Sequence, residues 1–541
     1  MKTEAGPQKK KWSIKKKLAV TIGAVLVTCC FLLYLYFNRL LSIALKTTFE
    51  SSVVSDVYDL EFKNLQVNIF EGNIRLSDVT MVPHEKPRKD YPYINSFFRF
   101  KTDKLVLKNV EIFTLLKQQR LRLETISITK PEIEVVLAGK RHIILPFKDS
   151  TAVAKKPKEK GKKLIGSFFL KEFQLIDAAF HSTNEYQQRE FNVQNLSISI
   201  FDLLLNEDPG QYEASFSKVN LAIGNFDGYL KKGALQKVSF KDFNIGVDSL
   251  SMNMAIDTLI YRFHDFNAGM RALDIQTADS TFHITMQSFD LSYLEKSIKL
   301  KAVSFKPNVS HAQLQRDHKY QHAEFSGSAG SLSLNQIDFD SLLYAEKVFI
   351  NEVVLDSVKA SIFKDKTKPN DSTKRPIYLS QAISSITLPL RIHHVRATHV
   401  HLDNTERKPD STYAKVEITR ASLHAQNITN LSDVTDLDIK ADAYINNQAH
   451  FKAELIYHYN KPQVDFNVVV EKFNLPNLNP LIQAYTPAKI NNGTSDEISL
   501  LGVAGETKSD GTMKFLYHDL EVDLVLHDQP KWKSSVIAFA A

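Results

Sequence analysis

The residues best suited to metal chemistry are His393, His394, His399 and His401. On an extended strand side chains alternate, so His393, His399 and His401 would share a face with Asp403 and Arg391, and imidazole with carboxylate suits zinc. A wet strand face rich in histidine is the stronger reading, because no cysteine or second-strand carboxylate can be named as a further ligand. Asp433, Asp436, Asp438 and Asp442 suggest calcium in the same way. The strict alternation of the last three reads instead as a solvated face, since a calcium loop needs irregular backbone and glycine. Lys155, Lys156, Lys158, Lys160, Lys162 and Lys163 could touch anionic lipid headgroups, although a solvated linker is the simpler account. No phosphate-cradling glycine loop, zincin His-Glu pair, nucleophile elbow or EF-hand loop occurs. The chain therefore reads as non-enzymatic, with no catalytic residue, metal or cofactor expected.

The elements that carry these residues are strands. Leu65, Val67 and Ile69 alternate with Gln66 and Asn68, and Leu196, Ile198 and Ile200 with Ser197 and Ser199. The same period of two runs through Leu250 to Ile256, Ile386 to Ile392 and Leu520 to Leu526. The clearest stretch is a meander. Leu437, Ile439, Ala441 and Ala443 form one dry face, Asn446-Asn447 turns the chain, and Phe451, Ala453, Leu455 and Tyr457 form the next. After Asn460-Lys461-Pro462 come Val464, Phe466, Val468 and Val470. Asn-rich turns between alternating runs are hairpin signals, since Asn tolerates positive φ, so antiparallel pairing is expected. Leu437, Ile439, Leu455, Tyr457, Val464, Phe466, Val468 and Val470 then face one apolar space, while Asp465 and Asn467 face water.

Helical periodicity is confined to short pieces: Arg39 to Phe49, Phe113 to Gln119, and Leu478 to Tyr485 with Pro480 near its start. No helix layer exists to cover the sheets. Their dry faces must meet in sandwiches or a closed barrel, or line a groove filled by something apolar. Pro83 to Pro92, Pro146 to Gly166 and Lys364 to Pro376 are polar, Lys- and Pro-rich loops. An irregular internal echo links Leu105-Val106-Leu107-Lys108-Asn109-Val110 with Val348-Phe349-Ile350-Asn351-Glu352-Val353.

Over the whole chain the formal charge is +7, which first suggests nucleic acid. Residues 1–17 alone hold seven Lys against one Glu, and without that tail the chain is close to neutral, so no nucleic-acid partner is expected. The only two cysteines, Cys29 and Cys30, fall inside Leu18 to Phe37, twenty residues without a charge. That length matches the bilayer core of about 30 Å, and the lysines before it place the N-terminus in the cytoplasm and the body across the membrane. A cleaved signal peptide ending near Ser42-Ile43-Ala44 is the weaker alternative, because the apolar core is long and Arg39 would precede the cut.

Two regions resemble the AsmA-like family of Gram-negative envelope proteins. Near the anchor these are Leu60-Glu61-Phe62 and Phe70-Glu71-Gly72-Asn73-Ile74-Arg75-Leu76-Ser77-Asp78-Val79, followed by Ile126-Ser127-Ile128-Thr129-Lys130-Pro131. At the other end they are Phe473-Asn474-Leu475-Pro476-Asn477-Leu478-Asn479-Pro480-Leu481, Ile490-Asn491-Asn492-Gly493 and Gly511-Thr512-Met513-Lys514-Phe515. The resemblance implies an inner-membrane, single-pass protein with a periplasmic body, related to bridge-like lipid-transfer proteins. It implies phospholipids or other membrane lipids as partners, with outer-membrane or other envelope proteins beside them, and transport toward the outer membrane or its assembly and maintenance. A scaffold of closed sandwiches is the alternative. The expected fold is all-β with one N-terminal transmembrane helix, an elongated antiparallel sheet of repeated hairpins forming an open hydrophobic β-groove. The expected division is a cytoplasmic tail at 1–17, the span at 18–37, a membrane-proximal β region at 38–145 and a Lys-rich linker at 146–166. A central β region at 167–433 and a C-terminal meander at 434–541 follow, with the sequence stopping inside an apolar run.

Overall fold

The computed structural model describes residues 58–68, 71–84, 97–111, 120–137, 167–208, 211–230, 235–255, 258–277, 281–316, 318–371, 373 and 377–524. The expected span at Leu18 to Phe37, the short helices at Arg39 to Phe49 and Phe113 to Gln119, and the linker at 146–166 lie outside these residues. Among the described residues no helix is long and apolar enough to cross a membrane. The rest is nearly all β: 25 strands in one large sheet in which antiparallel pairing dominates. The described α-helices have only six or seven residues each.

The chain divides into two compact units. The first comprises Met1–Tyr186, Gln194–Val219 and Leu250–Arg262, the second Gln187–Val193, Asn220–Ser249 and Phe263–Ala541. In the first, the Asn64–Asn68 and Asn73–Pro83 strands form a hairpin that turns at Gly72. Gly72 has φ +64°, and a Cβ there would lie 2.8 Å from the Val110 carbonyl oxygen, so only glycine fits the turn. Cross-strand partners then build two apolar rows. Val67, Ile74, Leu107, Ile126 and Phe173 form one, and Leu65, Leu76, Leu105, Ile128 and Leu175 the other.

The second unit holds the long meander from Asp265–Thr277 to Ser509–Leu524. Pairing is not antiparallel throughout. Leu390–Arg407 runs parallel to both Val348–Asp356 and Lys359–Asp365, and in the first unit Ser167–Asn184 runs parallel to Arg120–Thr129 and Glu132–Leu137. Each pair of short strands is one line of chain interrupted at a left-handed residue, Ser357 (φ 55°) or Lys130 (φ 48°). A parallel partner requires the chain to travel back before pairing, which a tight turn cannot do. The Lys- and Pro-rich stretch beginning at Lys364 falls in the second of those returns, although Lys364 and Asp365 themselves still belong to a strand.

The expected strand Ile386 to Ile392 starts only at Leu390. Asn430 accounts for the delay: its Nδ2 donates to the carbonyls of Ile386 (2.7 Å) and Leu388 (2.8 Å), and its Oδ1 accepts from the Leu390 amide at 2.8 Å. A side-chain amide thus takes the place of ladder bonds, leaving Ile386 and Leu388 exposed.

Left-handed residues also interrupt neighbouring strands at Ala272, Ala302, His399 and Arg420, with φ between 48° and 51°. At such a bulge the alternation of side chains slips by one. Ala397 and Val400, three apart on one strand, consequently join the same buried cluster with Ala421 and Ala443.

Candidate functional site

The eight candidate groove residues fall on one face of three consecutive strands. Leu437 pairs with Tyr457 and Tyr457 with Val464; Ile439 pairs with Leu455 and Leu455 with Phe466. Val468 lies opposite Ala453, and Val470 opposite Phe451. Asp465 and Asn467 stand on the reverse face, opposite Ile456 and Glu454.

The same registers carry this face far beyond the meander. One row of cross-strand partners runs Ala268, Leu291, Ile298, Leu334, Val353 and Val395. It continues through Ala425, Ile439, Leu455, Phe466, Gly502 and Gly511. The adjacent row runs Met270, Phe289, Leu300, Leu332, Leu355 and Ala397, then Leu423, Ala441, Ala453, Val468, Leu500 and Met513. No polar side chain interrupts either row. With strands spaced about 4.8 Å apart, twelve strands give the lane a path of about 53 Å. The reverse face reads differently: Asp290, Lys299, Ser333, Val354, Arg396, His424, Lys440, Glu454, Asn467, Leu501 and Thr512 succeed one another in a single row.

Beyond the line of bulges a third row extends the apolar face. Ile275, Ile284, Phe305, Gly327 and Ala360 lead to Leu402, Ile418, Ile445 and Ala449. Ile445 alternates with Ala443, Ala441 and Ile439 on a strand without a bulge, which places the end of this row at Ile418, Ile445 and Ala449 on the same side as the lane.

Burial separates the lane from its margins. Ile439, Leu455, Phe466 and Val468 are half-buried, as are Leu291, Ile298, Leu334 and Val353. Leu437 is fully buried, and Val464 and Val470 are nearly so. Short helices supply the cover. At one margin the 3-10 turn Leu475–Leu478 and the helix Asn479–Tyr485 pack Leu475, Leu478 and Ile482 against Ala449, Val470, Phe473 and Ile490. Asn479 fixes this strap by exchanging two 2.7 Å hydrogen bonds with the Ile490 backbone. Tyr485 anchors its end with a 2.6 Å hydrogen bond to Glu406, and burial together with that carboxylate pushes the phenol pKa up to about 12. At the other margin Tyr378 precedes the helix Leu379–Ser384, meets the Tyr457 ring edge-on at 6.5 Å and donates to the Ala504 carbonyl at 3.3 Å. Burial raises the Tyr457 phenol pKa.

Within the lane Phe466 lies over a glycine pair. A Cβ on Gly502 would meet the Phe466 ring at 2.7 Å and the Asp510 carbonyl oxygen at 2.5 Å, and the facing Gly511 leaves the ring room to lie flat. The periodic pattern found Phe466 but carried no sign of the notch that receives it.

The histidine cluster does not assemble as the alternation suggested. The bulge at His399 breaks the alternation that was to align it with His393 and His401, and His399 Nδ1 bonds Asp356 at 2.6 Å. His401, Asp403 and Glu417 do come within ligand distance of one another. Lys415 stands among them, with Nζ 3.2 Å from Asp403 and 2.5 Å from Glu417, so an ammonium already supplies the balancing charge. The four aspartates disperse to separate partners: Asp433 to Arg391, Asp436 to His458, Asp438 to Asn427 and Asp442 to His450. No protein-family model matches the chain, and no curated protein matches it.

Proposed function

We propose that this chain handles lipids, holding their hydrocarbon chains against the double apolar lane of the second unit. The observation that carries the reading is the combination of unbroken apolar rows with half-burial along most of their length, Ala397 and Ala453 being buried and Leu423 and Met513 exposed. A sandwich core with this composition would bury such residues almost completely, whereas a surface without a ligand would not keep 24 consecutive cross-strand positions free of polar side chains. Held by Leu18 to Phe37 in the inner membrane, with its body in the periplasm, such a groove would move phospholipids toward the outer membrane or serve its assembly and maintenance. The resemblance to AsmA-like proteins supports the same reading. A photo-crosslinking residue placed at Leu455 or Phe466 should capture lipid, and one at Asp465 should not. Protein-only adducts at Leu455 and Phe466 would favour a scaffold of closed layers.

A further inference from the structure

A second apolar feature opens where the third row reaches its margin. Phe305 belongs to that row, and Phe282 and Phe325 lie two residues beyond its neighbours Ile284 and Gly327, hence on the same face. With Leu314 from the helix His311–Arg316 these rings line a cavity of about 380 Å³. Phe282 and Phe305 stack at 4.8 Å, and Phe325 is 59% exposed, an unusual state for a phenyl ring lining a cavity. The size falls within the usual range for small-ligand sites, about 300–1,000 Å³.

The opposite wall is polar. His318 and His322 stack ring on ring at 4.1 Å, and both line the cavity. Glu324, the carboxylate in the lining, is buried and spoken for: Oε2 contacts His311 Nδ1 at 2.5 Å, and Oε1 accepts from Gln315 Nε2 at 2.7 Å. His318 and His322 are the nitrogen groups in the lining. Along the sequence Arg316 and Lys319 flank them with Asp317, and Lys368 donates to the carbonyls of Gln315 and His318, so the segment that carries the two imidazoles has a net positive charge. Phosphate or carboxylate heads are what such a wall attracts, and a hydrocarbon chain is what the phenyl wall accepts.

We propose that this cavity is a rim port of the lane, seating one amphiphile with its anionic head at the His318–His322 turn and its first methylenes on Phe282, Phe305 and Phe325. The proposal rests on the lipid-handling reading and adds the headgroup class and the place where it sits. Gly327 and Ala360, the next members of the row after Phe305, put no bulky side chain beside the port.

The test uses the full chain in amphipol with tryptophan placed at Phe325 or at Phe466, and the parent chain as background for Trp12 and Trp532. The probes are 12-bromododecyl phosphate and 12-bromododecyl trimethylammonium, both below their micelle-forming concentrations, with bromine quenching as the readout. At Phe325→Trp, quenching by the phosphate should saturate at a concentration at least about tenfold lower than by the ammonium compound. His318→Ala combined with Lys319→Glu should bring the two within about twofold. Quenching at Phe466→Trp without saturable quenching at Phe325→Trp would overturn the port alone. Equal quenching by the two heads at Phe325→Trp would overturn the anionic assignment. Failure at both positions would overturn the lane reading with it.

Discussion

Leu437 and Ile439 sit two residues apart on one strand, face the same side and are both aliphatic, yet Leu437 is fully buried and Ile439 only half so. The contrast repeats one hairpin later, where Val464 and Val470 are buried and Phe466 and Val468 between them are half-buried. Sequence pattern treats all six alike. What differs is the cover: each buried row lies under a strap, Tyr378 with Leu379–Ser384 on one margin and Leu475–Tyr485 on the other. The sheet therefore has a core at its margins and an open surface between them. Under the proposed lipid-handling role, that arrangement would keep the chain folded while the middle of its apolar face exchanges occupants.

Charge insertion breaks the comparison most severely. Val470→Asp would put a carboxylate among Ala449, Phe473 and Leu475, and should cost about 3 kcal/mol or more, seen as a large fall in denaturation midpoint. Val468→Asp, in the open lane, should cost under about 1.5 kcal/mol and lose bound lipid, because water can reach the charge once the lipid leaves. Equal destabilisation by both changes would mean that the lane is as sealed as its margins.

A middle-sized effect should come from the glycine notch. Gly502→Val would drive a side chain into the Phe466 ring and the Asp510 carbonyl, costing about 2 kcal/mol. Phe466→Ala added to it should restore only the part owed to the ring. A double-mutant coupling near about 1 kcal/mol would show that the two residues share one space; a coupling near zero would place the whole clash in the backbone.

The smallest effect lies on the wet face behind the margin. His450 bonds Glu471 through Nδ1 and Asp442 through Nε2, each at 2.8 Å, and those two carboxylates hold its pKa above the usual 6.5. Because the folded value is the higher one, this contribution is complete below about pH 6.5 and is lost as pH rises through the folded pKa. Melting at pH 6 and pH 8.5 should differ by about 1–2 °C more in the parent chain than in His450→Gln. A pH dependence that survives the substitution unchanged would assign it elsewhere.

Much of this was legible in the residues themselves. A period of two places Leu455 and Phe466 together and Asp465 apart from them whatever the surroundings, because L-residues in an extended chain must alternate. Asn446 and Asn447, which take φ 50° and 60°, turn the meander where their tolerance of left-handed backbone said they would. Gly72 does the same near the start. Most of the bulges were not legible, since Ala272, Ala302 and Arg420 are not residue types that announce positive φ.

Local sterics thus wrote the faces, and the sequence by itself determined which side chains could share one. Pairing direction, the slip at each bulge and the straps depend on contacts between residues far apart in the chain, such as Asn430 with Ile386 or Tyr485 with Glu406. Burial depends on those same contacts, because an aliphatic side chain can be assigned to a face from its neighbours in sequence, but whether that face is covered is settled by whatever the tertiary structure lays across it.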